Sequence, residues 1–328
     1  MADHSEALTE EGEEHAREVR DEMEDRSIEN AAGLSSKMIY EVIRRSGEEE
    51  LARPISGLVW SGIAAGLLIS FSVLGEAIFR TYLPAAEWTY LLENLGYSLG
   101  FMLVIMGRMQ LFTENTITTV LPFMIKPTWA AALDVLRLWA IVLGANLVGA
   151  FMAAALFHSG AIAPELHPAI HDLSVHATHM GALDGFLRGV PAGILIAAIV
   201  WMMPQAEDAK FFIIIVFTWL IAAGDFTHIV AGSVEMGYLL LAGELGIGLA
   251  VFGFFLPVLM GNVVGGTAVF SVMAWGQVKD EIRMTEARRA RDRRMAELRE
   301  HYSARRNASK SARVEQRQGS VSGTSPGE

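Results

Sequence analysis

The sequence predicts an all-α membrane protein of six transmembrane helices, arranged as an inverted repeat of three plus three, with helices two and five broken. Three observations predict this fold. Of the 328 residues, 52% are hydrophobic and only 19% are charged, and the mean hydropathy is +0.34, which is too apolar for an ordinary soluble protein. Most of the charges lie near the two ends of the chain. Two of the apolar segments are interrupted by a charge near their middle.

The charge distribution divides the chain into three parts. Residues 1–53 carry 16 acidic and 7 basic side chains, and residues 279–328 carry 13 basic and 8 acidic ones. Residues 54–278 hold 13 acidic and 6 basic side chains. We therefore predict an acidic cytoplasmic tail with an amphipathic helix, a six-span membrane domain and a basic cytoplasmic tail. The net charge of −11 argues against a nucleic-acid partner, and the lack of cysteine excludes a disulfide-stapled domain.

Each span rests on an apolar run, because about 20 apolar residues are needed to cross a bilayer. Four runs are uncharged and continuous: residues 54–75, 138–164, 189–206 and 251–275. The run at 94–107 stops at Arg108, and a second short apolar stretch follows it. The run at 211–224 stops in the same way at Asp225. We interpret these two segments as broken helices, the second and fifth spans.

The distribution of lysine and arginine predicts the orientation, since these residues are enriched in cytoplasmic loops. The loops predicted to be external contain Arg80 and no other lysine or arginine, whereas the basic tail follows the last span. Both termini are therefore expected in the cytoplasm, with the chain in a bacterial-type inner membrane. No apolar signal segment lies near Met1.

Short matches relate the two halves of the membrane domain. Three pairs match in order: Gly62-x-x-x-Gly66 with Gly189-x-x-x-Gly193, Phe112-Thr113 with Phe226-Thr227, and Asn146-x-Val-Gly with Asn262-x-Val-Gly. Three spans in each half give the halves opposite orientations. Paired interrupted helices in such a repeat indicate a permeation site near the membrane midplane. Backbone groups freed at a break cannot face lipid, so the two breaks are expected to meet inside the protein.

The residues at the breaks resemble the formate/nitrite transporter family, most closely its YfdC-type branch, over about residues 37–277. The similar motifs are Leu111-Phe112-Thr113, Phe226-Thr227-His228 and Gly261-Asn262. The resemblance implies an aquaporin-like protomer in a homopentamer. Each protomer would have its own path for a small monovalent anion, such as formate, nitrite or hydrosulfide.

The resemblance also implies roles for individual residues. Leu111 and Phe112 would form an apolar constriction, Thr113 would belong to the polar loop beneath it, and His228 would be the central pore histidine. We include Asn262 in the predicted path. Because a bare anion does not cross an apolar ring cheaply, a histidine that donates a proton or polarises the anion would let it pass as the neutral acid. The alternative for His228 is a buried histidine that only hydrogen-bonds a neighbour.

Three charged residues near the breaks have open interpretations. Arg108 and Asp225 either pair with each other, or Arg108 faces a cavity and attracts anions; both residues are included in the predicted path. An unpaired charge inside a membrane costs about 2.5–3.5 kcal/mol or more. Glu114 is expected to cap the helix that follows it, because a carboxylate is favoured at a helix N-terminus.

The amphipathic segment before the first span is expected to lie at the membrane surface.

The sequence departs from the family pattern in three places. The asparagine usual four residues after the pore histidine is Gly232, the region around Ala177 has no lysine or arginine, and the asparagine of span four is Gly193. A facilitator of a small neutral solute and a non-transporting scaffold therefore stay open as alternatives. No enzyme motif such as a phosphate loop is present, and we expect no cofactor and no metal. The expected partners are the substrate, the lipid bilayer and further copies of the chain.

Overall fold

Helices make up nearly all of the structure, a computed structural model that describes residues 33–285, 287–288, 290–296 and 299. The acidic run predicted in residues 5–29 and the tail after residue 299 lie outside the described residues. The chain divides after Gln277 into two compact units, and the described residues from Val278 onward are helical. The first helix, α1 (Ser36–Ala52), begins at Ser35, whose hydroxyl accepts the N–H of Met38 at 3.3 Å.

Thirteen helices are numbered here in chain order. From the first predicted span to the third they are α2 (Ile55–Leu68), α3 (Ser70–Tyr82), α4 (Thr89–Glu93), α5 (Ser98–Met106), α6 (Phe112–Thr118), α7 (Val120–Ile125) and α8 (Trp129–His158), with a 3₁₀ turn at Asn94–Tyr97. The rest are α9 (His167–Thr178), α10 (Ala182–Met202), α11 (Lys210–Ala223), α12 (Ile229–Ala242) and α13 (Leu256–Val263). Two π-helical segments, Leu249–Phe255 and Val264–Ser271, flank α13.

Among the residues that the structure describes, five helical segments are long and apolar enough to cross a bilayer. Four of them are Ile55–Tyr82, Thr89–Met106, Trp129–His158 and Ala182–Gln205, and the fifth begins at Leu249. Large apolar side chains remain on the outside of the protomer: Trp60 is 74% exposed and Phe252 is 71% exposed. Such an apolar surface is typical of a protein that faces lipid or a neighbouring subunit. The chain is therefore a polytopic α-helical membrane protein.

The helices run past several charges that were expected to end the spans. The first span continues to Tyr82, beyond Glu76 and Arg80, and α8 begins at Trp129, ahead of Asp134 and Arg137, although it ends at His158 and not at residue 164. Arg80 is accommodated by an ion pair with Glu93 at 2.9 Å. A charge with a partner or a cavity beside it does not interrupt a membrane helix, so uncharged runs underestimate the length of these helices.

The amphipathic helix α1 packs against the membrane domain. Its buried residues include Ile39, Tyr40 and Ile43. The Tyr40 hydroxyl donates to the carbonyl of Leu121 at 3.1 Å, and a Cβ on Gly47 would lie 1.9 Å from the carbonyl oxygen of Thr118. Protein therefore covers one part of the apolar face of α1, while Met38 and Val42 on the same helix are 54% and 43% exposed, and the position at the membrane surface stays a prediction.

Helices α2 and α8 approach each other at two glycines. A Cβ on Gly66 would lie 2.0 Å from the carbonyl oxygen of Asn146, and one on Gly149 would lie 2.1 Å from that of Ile63. Contacts this short involve backbone atoms, which cannot rotate away. Small residues at such crossings let membrane helices pack closely. The Gly66 and Gly149 positions therefore fix the distance between the first and third spans.

Alanine at Gly149 is expected to destabilise the protein by about 1–3 kcal/mol, the usual range for overpacking. Gly144 on the same helix provides a matched control, since a Cβ there would meet no atom within 4 Å. Thermal unfolding of both purified variants in detergent checks this prediction. Gly144→Ala should unfold at or above the wild-type temperature, because alanine favours a helix over glycine. Equal unfolding temperatures for the two variants would contradict the proposed close contact.

Candidate functional site

The helices α5 and α11 end in the same backbone motif. Arg108 has a φ of 52° and Asp225 has a φ of 54°. In each motif the following residue bonds back across the last turn: Met109 N–H donates to Val104 C=O at 3.0 Å, and Phe226 N–H to Ile221 C=O at 2.9 Å. This is a Schellman cap, in which the left-handed position is usually glycine. A residue with a side chain in this left-handed conformation costs about 1–2 kcal/mol of folding free energy. Arg108 and Asp225 therefore lower the stability of the protein relative to glycine at the same positions.

A buried asparagine of α8 holds the chain between α5 and α6. The amide oxygen of Asn146 accepts the N–H of Phe112 at 2.9 Å. Its amide nitrogen donates to the carbonyls of Gly62 at 2.8 Å and Gln110 at 2.9 Å. Every polar atom of the side chain is therefore used, and the segment between the two helices is tied to both α2 and α8.

A second buried asparagine, from α13, does the same between α11 and α12. The amide oxygen of Asn262 accepts the N–H of Ile229 at 2.8 Å, and its nitrogen donates to the carbonyls of Gly189 at 2.9 Å and Thr227 at 2.8 Å. Asn262 is fully buried and lines neither of the cavities described below. The Asn262 side chain therefore holds the backbone between α11 and α12 by hydrogen bonds.

These contacts correct one pairing that was inferred from the sequence. Leu111 and His228 are the N-cap residues of α6 and α12, with φ and ψ of −105° and 125° for Leu111 and −113° and 125° for His228. Leu111 therefore corresponds to His228, and the match of Phe112-Thr113 with Phe226-Thr227 is displaced by three residues. The two Phe-Thr pairs differ in place, because one lies inside the first helical turn and the other precedes the helix.

The side chains of Thr113 and His228 meet in the protein interior. Thr113 Oγ1 lies 2.7 Å from His228 Nε2, and the two residues are 0% and 2% exposed. His228 Nδ1 accepts the N–H of Ala231 at 3.3 Å and so caps α12. A backbone N–H only donates, so Nδ1 carries no proton and the ring proton lies on Nε2, directed at Thr113. The imidazole is therefore held in a neutral form by its role as a helix cap.

Aromatic rings pack around this histidine. The ring of Phe101 lies edge-on to the imidazole, with 4.9 Å between the centroids. A Cβ on Gly232 would lie 2.5 Å from Cζ of Phe254. The ring of Phe254 thus takes the space beside Gly232, and the cap to Ala231 orients the imidazole instead of a nearby asparagine.

A cavity of about 800 Å³ is lined by Gln110 and Glu114, which flank Thr113 in the chain. We call it the Arg108 cavity. Its polar and charged lining consists of Ser46, Glu49, Glu50, Arg53, Arg108, Gln110, Glu114, Thr118 and Lys210. Glu50 of α1 accepts hydrogen bonds from Asn115 Nδ2 at 3.0 Å and Thr118 Oγ1 at 2.5 Å. Glu114 lies in the first turn of α6 but makes no capping hydrogen bond there, so the predicted hydrogen-bonding cap is not formed, and its buried Oε1 has no hydrogen-bond partner among the described residues.

A second cavity, of about 70 Å³, contains His228 in its wall. We call it the His228 cavity. It has room for several waters, since about 10–15 Å³ of such volume holds one. Two acidic side chains, Glu76 of α3 and Glu235 of α12, line it, and sequence reasoning did not single out either of them. The two cavities share no lining residue. Gln110 and Glu114, close to Thr113 in the chain, line the Arg108 cavity, and His228 lines the other one. The Thr113–His228 contact therefore connects the segments beside the two cavities.

Asp225 lies at the His228 cavity and has two cationic or protonatable partners. One carboxylate oxygen pairs with the guanidinium of Arg188, and the other lies 2.8 Å from Nε2 of His176. The predicted alternative in which Asp225 pairs with Arg108 is therefore wrong. Arg108 lines the other cavity, as its second interpretation requires. Arg188 could have been found from the sequence as the basic residue at the start of an apolar run.

The histidines of α9 have separate partners. His167 Nδ1 lies 3.0 Å from the Tyr238 hydroxyl, and His171 Nε2 lies 2.7 Å from a carboxylate oxygen of Glu244. The hydrogen bond from Glu244 raises the pKa of the exposed His171 imidazole above its usual 6.5. Within the described residues, no group of three or more histidine, cysteine or acidic side chains is arranged to hold a metal ion.

Long apolar helices, a buried polar contact and two cavities lined by polar and charged side chains define the class, a polytopic membrane protein with a polar interior. The family model described as "Formate/nitrite transporter" matches residues 37–276, and the chain belongs to this family. It is 41% identical to the inner membrane protein YfdC of Escherichia coli (strain K12), over 91% of this chain and 94% of that protein. It is also 28% identical to the formate channel FocA of Haemophilus influenzae, over 65% of this chain and 83% of that protein.

Solved structures show the same fold. A pentameric formate channel with formate bound matches with a TM-score of 0.57 at 21% identity, over 72% of this chain and 98% of that one. An FNT family ion channel matches with a TM-score of 0.63 at 16% identity, over 73% of this chain and 98% of that one. The likeness covers nearly the whole of each of these channels, so the similarity concerns the complete membrane domain.

Proposed function

We propose that this protein is a channel or transporter for a small monovalent anion of the formate or nitrite type, or for its conjugate weak acid. The observation that carries the proposal is the buried Thr113–His228 contact, which joins a segment beside the Arg108 cavity to a residue in the wall of the His228 cavity, in a fold shared with formate channels. The relatives are named as channels and transporters, which supports transport over catalysis. We infer that the substrate passes from one cavity to the other beside the imidazole.

The proposed path runs through an inverted 3+3 repeat in six spans, with the second and fifth spans broken. The paired asparagines support this architecture, since Asn146 and Asn262 make the same three kinds of hydrogen bond. The matching Schellman caps at Arg108 and Asp225 support it as well. In this arrangement the irregular backbone is buried in protein, which is the condition for its survival inside a membrane.

The residues of the proposed path would have different roles in transport. Arg108 would attract anions into the larger cavity, because a cation in a low-dielectric cleft raises the local concentration of anions. Leu111 and Phe112 would exclude hydrated ions at the narrow part, and the Nε2–H of His228 and the hydroxyl of Thr113 would replace part of the lost hydration. Asp225 would hold Arg188 and His176 at the entrance to the smaller cavity.

Assembly and location follow from the same relatives. We propose a homopentamer with one path in each protomer, because a structural neighbour is pentameric, and residence in the bacterial inner membrane, because the 41% identical relative is named an inner membrane protein. Both termini would lie in the cytoplasm, where the basic residues of the tail favour anionic lipid headgroups. The acidic tail, the membrane domain and the basic tail would occupy 1–53, 54–278 and 279–328.

One observation favours a second candidate, an aquaporin-like facilitator of a small neutral solute. The lining of the His228 cavity contains Glu76, Glu235 and Asp225 but no lysine or arginine. Such a lining repels a free anion and admits a neutral molecule. Transport measurements separate the two candidates, because a neutral-solute facilitator would carry glycerol or a small amide without carrying formate or nitrite.

Reconstituted protein is expected to carry formate or nitrite into vesicles faster than protein-free vesicles take it up, and Thr113→Val is expected to slow this flux. The valine has nearly the same shape but cannot hydrogen-bond His228. Stopped-flow uptake at fixed pH, with glycerol as the neutral comparison, measures both effects.

Thr218→Val is the matched control, because Thr218 is also fully buried but bonds only to carbonyls of its own helix, such as Ile214 at 2.7 Å. It should leave the flux at the wild-type value. Glycerol flux without any formate or nitrite flux would replace the first candidate with the second.

A further inference from the structure

Two acidic side chains of the His228 cavity have no assigned role. Glu76 is only 8% exposed, and within the described residues no hydrogen bond or ion pair joins its carboxyl or that of Glu235 to another side chain. Both line the cavity that contains His228. Their helices, α3 and α12, pack against each other, and the two carboxyls interact electrostatically. A buried ionisable group in a membrane domain is a candidate functional group by default.

The two arginines nearby form ion pairs with other carboxylates. Arg80, one turn from Glu76, pairs with Glu93 at 2.9 Å, and Arg188 pairs with Asp225. The titratable or charged groups around the pair are Arg80 on α3, Tyr90 and Glu93 on α4, Tyr97 in the 3₁₀ turn, His176 on α9, Arg188 on α10, Asp225 after α11 and His228 before α12. Helices α8 and α13 contribute no titratable side chain to the lining. The two carboxyls therefore face the cavity without a direct ion pair within the described residues, and Arg80 attracts both of them only through space.

The central histidine is not arranged to supply protons. His228 Nδ1 accepts the N–H of Ala231, and Nε2 faces Thr113. A proton added at Nδ1 would break the cap of α12, and a proton removed from Nε2 would leave an imidazolate in an apolar surrounding, which is strongly unfavourable. If the substrate is to reach the imidazole as a neutral acid, its proton comes from another group.

We propose that Glu76 and Glu235 form a proton-donor site, at which a small weak-acid anion is protonated before it passes His228. This inference rests on the proposed function. In the step, the O–H bond of one glutamic acid breaks as an O–H bond forms on the carboxylate or nitrite oxygen of the substrate. The glutamate left behind regains its proton from a hydronium ion of the solution, relayed by water in the cavity, so that one proton enters from solution for each anion protonated. Two ionised carboxylates in one small cavity repel an anion and each other; one bound proton removes their mutual repulsion, and a proton on each carboxyl removes the repulsion of the anion as well.

The test is the pH profile of formate uptake by reconstituted wild type, Glu235→Gln and the double variant Glu76→Gln/Glu235→Gln. At pH 5 the solution supplies formic acid, so all proteins should transport within about twofold of one another. At pH 7 the variants should be about tenfold slower or more, the lower part of the range for a lost proton donor. Glu87→Gln, at an exposed position, is the matched control and should follow the wild-type profile.

Two further measurements keep the proposal separate from folding and from the proposed function. Glu235→Asp retains an acid and should restore most of the flux at pH 7; a profile like that of the glutamine variant would assign Glu235 a structural role and overturn the proposal. Infrared spectra of the wild type should show a protonated carboxyl band that the double variant lacks. Unchanged variant profiles would overturn the proton-donor site alone. Absence of formate and nitrite flux in the wild type would overturn the proposed function and the site with it.

Discussion

Alanine at Asn146 is expected to destabilise the membrane domain by about 2–6 kcal/mol and to prevent most of the protein from reaching its folded oligomer. The substitution leaves the N–H of Phe112 and the C=O of Gln110 without the partner that Asn146 provides. Each orphaned buried group costs about 1–3 kcal/mol, and no water in the hydrocarbon region replaces the lost bonds. Asn262→Ala should have the same effect at the other break, because its three bonds have the same geometry.

Thermal unfolding and size-exclusion chromatography in detergent measure this effect. Asn94→Ala is the matched control, since Asn94 is also only 2% exposed but makes a single bond, to the carbonyl of Tyr90 one turn earlier at 2.6 Å. It should lose about 1 kcal/mol. Asn146→Asp keeps the acceptor but cannot donate, so it should resemble the alanine variant. Wild-type unfolding temperatures for Asn146→Ala would show that the segment between α5 and α6 is held by other contacts.

The position of the spans could be predicted from the sequence, but their ends could not. Apolar runs reveal which segments are surrounded by lipid, and the run at 54–75 falls within the first long helix, Ile55–Tyr82, but stops short of its end. The predicted stops at Arg108 and Asp225 follow closely on the ends of α5 at Met106 and of α11 at Ala223. Charged residues such as Glu76 and Arg188 were treated as boundaries or left out. They lie inside helices because a cavity or an ion pair accommodates them, and such partners come from distant parts of the chain.

The candidate site could be predicted in part for a similar reason. Thr113 and His228 were selected by their motifs, and the structure brings them to 2.7 Å. The pairing of Arg108 with Asp225 was inferred from their similar places before the two interruptions, yet the two residues line different cavities. The true partner of Asp225 is Arg188. Glu235 could not be identified from the sequence, because no short motif surrounds it. Its place beside Glu76 in the cavity wall arises only when α3 and α12 pack against each other.

Replacing His228 with asparagine is expected to lower formate or nitrite flux by about tenfold or more while the protein still folds. Asparagine is a good N-cap residue, so it can accept the N–H of Ala231 as the imidazole does at 3.3 Å. Its side chain is shorter than histidine, so it cannot reach Thr113, and the hydrogen-bond donor between the two cavities is lost. His228→Ala should lose both functions, with a lower unfolding temperature as well as a lower flux.

The comparison of these two variants separates the two roles of the imidazole, which a single substitution would mix. Stopped-flow uptake into vesicles gives the flux, and unfolding temperature gives the contribution of the cap. His179→Asn is the matched control, because the exposed His179 bonds only within its own segment, to Thr178 and the carbonyl of Val175. If the asparagine variant kept the wild-type flux, the Nε2–H would not act on the substrate. His228 would then be a buried helix cap, and the path between the cavities would have to be sought elsewhere in the protomer.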